Sequence, residues 1–170
     1  MDIRKQLLND HSKALTDRII SYVGNNQNRF NRLITIFLEG PYRITQRAVW
    51  PLSYCVINHP SLIDRHYGSI LKMLTKPGIH DAVKRNIMRL LQFVTVPARH
   101  QGKVIEHCFR LMDPKEPIAV RVFAMTVLAN LASQHPDLKK ELKLLIQDQL
   151  PFGTAAYLSR SKKILKQLEK

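Results

Sequence analysis

The sequence predicts an all-α fold, a right-handed α–α superhelix or short α-solenoid of about nine helices in antiparallel pairs. Two observations lead to this prediction. Prolines recur at a nearly constant interval, since Pro41, Pro77, Pro114 and Pro151 are 36, 37 and 37 residues apart, and no segment sustains the apolar and polar alternation of a strand. Each of these prolines follows a helical pattern, and proline ends a helix because it cannot donate the next backbone hydrogen bond.

A second proline series falls between the first. Pro60, Pro97 and Pro136 are 37 and 39 residues apart, and proline is well tolerated at the first position of a helix, where its missing N–H would have no partner. These prolines are predicted to open second helices. Each period therefore contains helix A, a turn, helix B and a second turn.

The pattern predicts one helical-repeat domain over 1–170. It begins with a helix pair over 1–40, continues with repeats over 41–77, 78–114 and 115–151, and ends with a capping helix within 152–170. In the first pair, an apolar stripe from Ile3 to Val23 predicts one helix that ends at Gly24. His11 falls on the apolar side of this helix and is predicted to be buried.

The predicted helices differ in how much of their surface is apolar. The first A helix covers 42–56 and contains Pro51, and the B helix of the next repeat covers 98–112. The helix over 118–132 is apolar nearly all round, whereas the last helix, over 157–168, has only a thin apolar stripe. An interior helix of a stack has neighbours on every side and an end helix does not, so these patterns predict an interior repeat followed by a cap.

Two A-helix segments are related in sequence. AVKRNIMRLL and AVRVFAMTVL lie 37 residues apart and share Ala-Val-basic and then Met and Leu at equivalent positions. With these segments, with the Val-basic pairs Val83-Lys84 and Val120-Arg121, and with Pro51 inside an A helix, the chain resembles the HEAT and armadillo superfamily of helical repeats. The resemblance implies a curved α-solenoid whose B helices line the concave side. It implies no particular activity, because one fold serves many functions.

The composition predicts a strongly basic surface. The chain has 27 lysines and arginines against 13 acids, a formal net charge of +14. Such a charge attracts polyanions and opposes self-association, so nucleic acid, anionic lipid and acidic protein are all admissible partners, and a monomer is expected in isolation. The lack of a long apolar run or of a signal-peptide pattern favours a cytoplasmic location and no membrane span.

Reactive residue types occur without a chemical motif. Cys55 and Cys108 stand in apolar helical runs and are predicted to be buried. In the segment HQGKVIEHCFR, His100 and His107 are two helical turns apart, about 10 Å, which is too far for both to bind one metal ion. His107 and Cys108 diverge by about 100°, so they do not form a nucleophile and base pair. No phosphate-binding or nucleophile motif occurs, and we predict no cofactor, metal or catalytic residue.

The same segment instead predicts a binding face on the B helices. His100, Lys103, His107 and Arg110 follow at steps of three, four and three, which places them on one stripe. One repeat period relates His66 to Lys103 and Lys103 to Lys140, and we call the resulting set the basic column. Its predicted members are Arg65, His66, Lys72, His100, Lys103, His107, Arg110, Lys139, Lys140 and Lys143. If the B helices are concave, as the resemblance implies, the basic column can enclose an elongated anion; the alternative is that any solvated helix face collects lysines.

The leading interpretation is a non-enzymatic binding or scaffold module that recognises an acidic partner, either nucleic acid or an acidic protein segment. Two alternatives stay open. The chain could be a DNA base-excision enzyme that resembles the HEAT-like alkylpurine glycosylases, with Glu106 and Glu141 as the only acids near the basic column. It could instead be a structural subunit whose terminal helix joins another chain. Further basic clusters are predicted on the closing helix and on the A helices: Arg160, Lys162, Lys163 and Lys166, and Arg43, Arg47, Lys84 and Arg85.

Overall fold

The computed structural model describes residues 1–170 and contains ten α-helices and no strand. The helices are α1 (Ile3–Asn9), α2 (Lys13–Val23), α3 (Gln27–Glu39), α4 (Tyr42–Asn58), α5 (Tyr67–Met73), α6 (Asp81–Leu91), α7 (Ala98–Leu111), α8 (Ile118–Ala132), α9 (Pro136–Gln149) and α10 (Ala155–Leu168). Two short 3-10 helices, Pro60–Ile63 and Leu150–Phe152, precede α5 and α10. The all-α prediction is confirmed.

The chain forms two compact units, Met1–Thr95 and Val96–Lys170. We call them unit 1 and unit 2. Unit 1 contains α1 to α6, and unit 2 contains α7 to α10. Their boundary falls between the A and B helices of the predicted repeat 78–114.

Unit 1 is organised around α4, which packs against α2, α3 and α6. As predicted, this helix starts at Tyr42 and continues through Pro51, which lies buried in its interior. Proline lacks the N–H that would bond to the preceding turn. Its neighbour Ser53 donates a hydrogen bond from Oγ to the Trp50 carbonyl at 2.8 Å, so a side chain satisfies a backbone acceptor close to the interruption.

The prediction of one helix from Ile3 to Val23 is wrong, because the chain breaks between α1 and α2. Ser12 caps α2 by accepting a hydrogen bond from the Leu15 N–H at 3.1 Å, and it donates to the Asp10 carboxylate at 2.6 Å. Serine and aspartate side chains compete with the helix for backbone hydrogen bonds and so favour helix starts and turns. His11 therefore lies in the turn and is exposed, with its ring edge-on to Trp50 at 5.6 Å, and the prediction that His11 is buried is also wrong.

Unit 2 is organised around α8, which packs against α7, α9 and α10. Ten of the fifteen residues of α8 are buried, on all sides of the helix, as the sequence predicted for an interior helix. The last helix, α10, buries only the stripe Tyr157, Ser161, Ile164 and Leu168 and exposes its lysines. The predicted contrast between an interior helix and a cap is confirmed.

The second proline series opens helices in two different ways. Pro136 occupies the first turn of α9, as predicted, and Pro97 stands one residue earlier, as the N-cap of α7. Pro60 opens only a 3-10 helix, and α5 begins seven residues later, at Tyr67. The B helix of the predicted repeat 41–77 is thus split into two short pieces.

Candidate binding surface

Three members of the basic column lie in unit 1, at the start and end of α5. His66 connects this region to α3: its Nε2–H donates to Asn31 Oδ1 at 2.9 Å, and its ring packs on Phe30 at 5.7 Å. Burial, followed by the charge of Arg65, lowers the pKa of His66. His66 is therefore a neutral packing residue near pH 7, whereas Arg65 and Lys72 are exposed cations.

Seven members lie in unit 2, four of them on α7. Lys103 forms an exposed ion pair with Glu106, Nζ to Oε2, at 3.1 Å. Arg110 is exposed and donates from Nη2 to His107 Nδ1 at 3.0 Å. On this stripe the charge of Lys103 is thus compensated by Glu106, and the guanidinium of Arg110 is bonded to a residue of its own helix.

His107 lies beneath the surface of α7, with 4% of its surface exposed. Burial and then the neighbouring Arg110 lower the pKa of His107. Because Nδ1 accepts the Arg110 hydrogen bond, the ring is neutral and carries its proton on Nε2. His100 is half-buried and accepts a hydrogen bond at Nε2 from Arg99 Nε at 3.2 Å. His107 therefore adds no positive charge to the surface near neutral pH.

The remaining three members, Lys139, Lys140 and Lys143, lie on α9. Lys140 and Lys143 are exposed and form no ion pair or hydrogen bond, and Lys139 is half-buried. The side of α9 that faces α7 carries different residues, and a groove between the two helices is lined by Phe109, Glu141, Leu144, Leu145 and Asp148. In unit 2 the residues that line this groove are therefore apolar or acidic, and none of them is a member of the basic column. The alignment of His66 with Lys103 joins the two units and stays a prediction.

The other predicted basic clusters divide into packing and exposed residues. Arg47 donates to the Leu7 and Leu8 carbonyls at 2.7 and 3.0 Å, where it satisfies the carboxyl end of α1. Lys84 pairs with Asp81 at 3.5 Å, and Arg160 donates to Thr126 Oγ1 at 2.6 Å. The exposed cations of these clusters are Arg43, Arg85, Lys162, Lys163 and Lys166.

Unit 2 also contains a buried guanidinium, that of Arg121, which in the sequence is marked only as part of the pair Val120-Arg121. Arg121 is 9% exposed; its Nη2 donates to Gln149 Oε1 at 2.8 Å, and its Cζ lies 4.6 Å from the centre of the Tyr157 ring. The Tyr157 hydroxyl donates to the same Oε1 at 2.8 Å, and Gln149 Nε2 donates to the Met112 carbonyl at 3.1 Å. In the sequence, the only indication that this arginine is buried is its position in the otherwise apolar run IAVRVFAM. The Arg121 guanidinium therefore packs inside unit 2 against Gln149 and Tyr157 and is not exposed to a binding partner.

The reactive residue types are placed for packing. Burial raises the pKa of Cys55 to about 12 and raises the pKa of Cys108 as well, so both thiols are protonated at neutral pH. Glu106 is exposed, and its hydrogen bond and ion pair with Lys103 lower its pKa, which makes its carboxylate a weaker base. No group of three His, Cys, Asp or Glu side chains is arranged to hold a metal ion. None of the helices combines the length and the apolar character needed to cross a membrane.

The ten α-helices and the absence of strands place this chain in the class of all-α helical repeat proteins. The chain belongs to the HEAT repeat family, since the HEAT repeat domain matches residues 3–168. Comparisons with curated proteins and with solved structures give no match. HEAT repeats are generally non-catalytic scaffolds that mediate protein interactions, because stacked helix pairs leave long surfaces open to a partner.

Proposed function

We propose that this HEAT repeat chain is a non-enzymatic scaffold that binds an acidic macromolecule through its exposed B-helix cations. The observation that supports the proposal most is that several exposed cations of these helices form no ion pair. Lys140 and Lys143 on α9 have no acidic partner, and Arg65 and Lys72 project from the α5 region into solvent. An ionic surface without internal partners gains most from an external polyanion.

The surface favours an acidic protein segment over a sequence-specific nucleic-acid site. Base recognition requires stacking aromatics or hydrogen-bonding side chains beside the phosphate contacts. Aromatic residues make up 7% of the chain, and among the residues beside the basic column Phe109 is half-buried in the α7–α9 groove. We also propose that the chain is monomeric and cytoplasmic, and that the basic column lies on the concave side of the solenoid.

Binding should be measured by fluorescence anisotropy against three labelled ligands: a poly-glutamate peptide, duplex DNA and heparin. Each titration is repeated between 50 and 300 mM salt, about a 2.4-fold change in Debye length. We expect tighter binding to the poly-glutamate peptide than to DNA of equal charge, with an affinity that falls as salt rises. Equal affinities for all three ligands would show that the surface binds polyanions in general. Tighter binding of DNA than of the peptide would show that the partner is a nucleic acid.

A matched pair of variants locates the surface. The triple substitution Lys139→Gln, Lys140→Gln and Lys143→Gln removes three cations from α9. The control Arg4→Gln, Lys5→Gln and Arg32→Gln removes three exposed cations from α1 and α3 and produces the same net charge. We expect the α9 triple variant to lose at least about tenfold in affinity and the control to lose much less. Equal losses would show that net charge alone drives binding, against the proposal.

A further inference from the structure

A groove between α7 and α9 in unit 2 is lined by apolar and acidic residues, in contrast to the basic column. Its apolar part consists of Phe109 from α7 and Leu144 and Leu145 from α9. Leu144 is 60% exposed, and Phe109 and Leu145 are half-buried. Water therefore contacts apolar side chains of two helices that both pack on α8, and a partner that covered these side chains would gain from their burial.

Two carboxylates border this apolar surface. Glu141 and Asp148 also line the groove, and both are exposed. They are seven residues apart on α9, which puts them on the same side of the helix at a separation of about 10 Å. Neither carboxylate forms an ion pair or a hydrogen bond, although the chain carries 27 lysines and arginines; on α7, Lys103 pairs with Glu106 instead. Unpaired negative charge at both ends of an apolar surface is complementary to a cationic ligand with an apolar centre.

We propose that this groove binds a basic amphipathic helix of a partner protein. On such a helix, Lys or Arg side chains at positions i and i+7 match the separation of Glu141 and Asp148, and leucine-type side chains at i+3 and i+4 lie between them on the same face. The leucines pack against Phe109, Leu144 and Leu145, and the cations pair with the two carboxylates. A second copy of this chain is the competing occupant, and the oligomeric state of the groove variants tests it. This site uses residues outside the basic column and selects ligands of the opposite charge.

The test uses a fluorescein-labelled synthetic helix of about 18 residues that carries this Lys and Leu pattern. A matched peptide replaces both lysines by glutamine, which removes the cations without creating a ligand for the basic column. We expect saturable binding of the lysine peptide to the full chain and much weaker binding of the glutamine peptide. The variant Leu144→Ser and the double variant Glu141→Lys with Asp148→Lys should each weaken binding at least about tenfold, as for central interface residues.

Control variants lie on α10 and at its C-cap. Leu158→Ser removes a leucine that is 42% exposed, and Glu169→Lys reverses an exposed acid; both should leave peptide binding unchanged. Circular dichroism checks that each variant remains helical, and the charge-reversal variant still tests the site if Leu144→Ser does not fold. Heparin binding should not weaken in any groove variant, so failure at this site and failure at the basic column can be told apart.

Three results would overturn the assignment. The first is equal binding of the lysine and glutamine peptides. The second is undiminished peptide binding by both groove variants. The third is a concentration-dependent dimer of the wild-type chain in sedimentation velocity that Leu144→Ser dissociates, because the occupant of the groove would then be a second copy of the chain.

Discussion

Replacement of Gln149 by leucine should be among the most destabilising single changes in unit 2. The side chain is 8% exposed and makes three hydrogen bonds: Oε1 accepts from Arg121 and from Tyr157, both at 2.8 Å, and Nε2 donates to the Met112 carbonyl at 3.1 Å. Leucine has a similar size but no polar atom. The substitution therefore leaves three polar groups without partners in the interior, and one of them is a guanidinium.

The magnitude follows from the number and kind of groups that lose a partner. A buried polar group without a partner costs about 1–3 kcal/mol, and a charged one costs more. The guanidinium is already incompletely solvated, since Arg121 Nε has no hydrogen-bond partner. Burial of the added apolar surface offsets only about 1 kcal/mol. We expect Gln149→Leu to lower the free energy of unfolding by about 3–5 kcal/mol and the melting temperature by roughly 10 °C.

Urea unfolding followed by circular dichroism measures the effect, and a double-mutant cycle isolates its cause. Arg121→Met removes the charge, so Arg121→Met combined with Gln149→Leu should cost less than the sum of the two single changes. Gln149→Glu retains the acceptor for Arg121 and Tyr157 but loses the donor to Met112, and should be milder than Gln149→Leu. A loss below about 1 kcal/mol for Gln149→Leu, or strict additivity in the cycle, would refute the conclusion that Gln149 satisfies a buried cation.

Three further predictions concern backbone, protonation and thiols. Gly40→Ala should destabilise the chain by about 1–3 kcal/mol, because its Cβ would lie 2.5 Å from a backbone carbonyl oxygen, whereas Gly102→Ala, with no atom within 4 Å of the added Cβ, should stabilise α7 by about 0.5–1 kcal/mol; urea midpoints compare the pair, and equal shifts would contradict it. The folded-state pKa of His107 is lowered from 6.5, so the unfolded chain binds more protons and stability should fall as pH decreases below about 6.5. The slope of urea midpoint against pH should be smaller in His107→Gln, and an unchanged slope would contradict the assignment. Cys55 and Cys108 should react with a thiol reagent only at the rate of unfolding, since both are buried with raised pKa values; rapid labelling of the native chain would contradict this.

The helical architecture was predictable because its signals are local. Proline cannot donate a backbone hydrogen bond, so the ends of helices near Pro41 and Pro77 follow from covalent structure alone. The apolar character of α8 likewise predicts contacts on every side, whatever its neighbours are. Where two local signals competed, the prediction failed: the apolar stripe across His11 suggested one continuous helix, but the capping side chain of Ser12 starts a new one.

The candidate site was predictable only as a list of charges. Lysine and arginine are visible in sequence, but their partners are not, because an ion pair or a hydrogen bond depends on which helices lie next to each other. His107 shares a helical stripe with Lys103, yet it is buried and bonded to Arg110. Glu141 and Leu144 read as ordinary surface residues until α9 is placed beside Phe109 of α7.

The sequence by itself determined that the chain is all-helical, repeats about every 37 residues and carries a net charge of +14, since backbone propensity, proline chemistry and charge are properties of each residue and its near neighbours. Only the tertiary structure decided which cations are exposed. It directed Arg121 into the core against Gln149 and Tyr157, left Lys140 and Lys143 in solvent, and brought apolar and acidic side chains from α7 and α9 into one groove. Burial and pairing are relations between segments distant in the chain, and those relations exist only after the helices have packed.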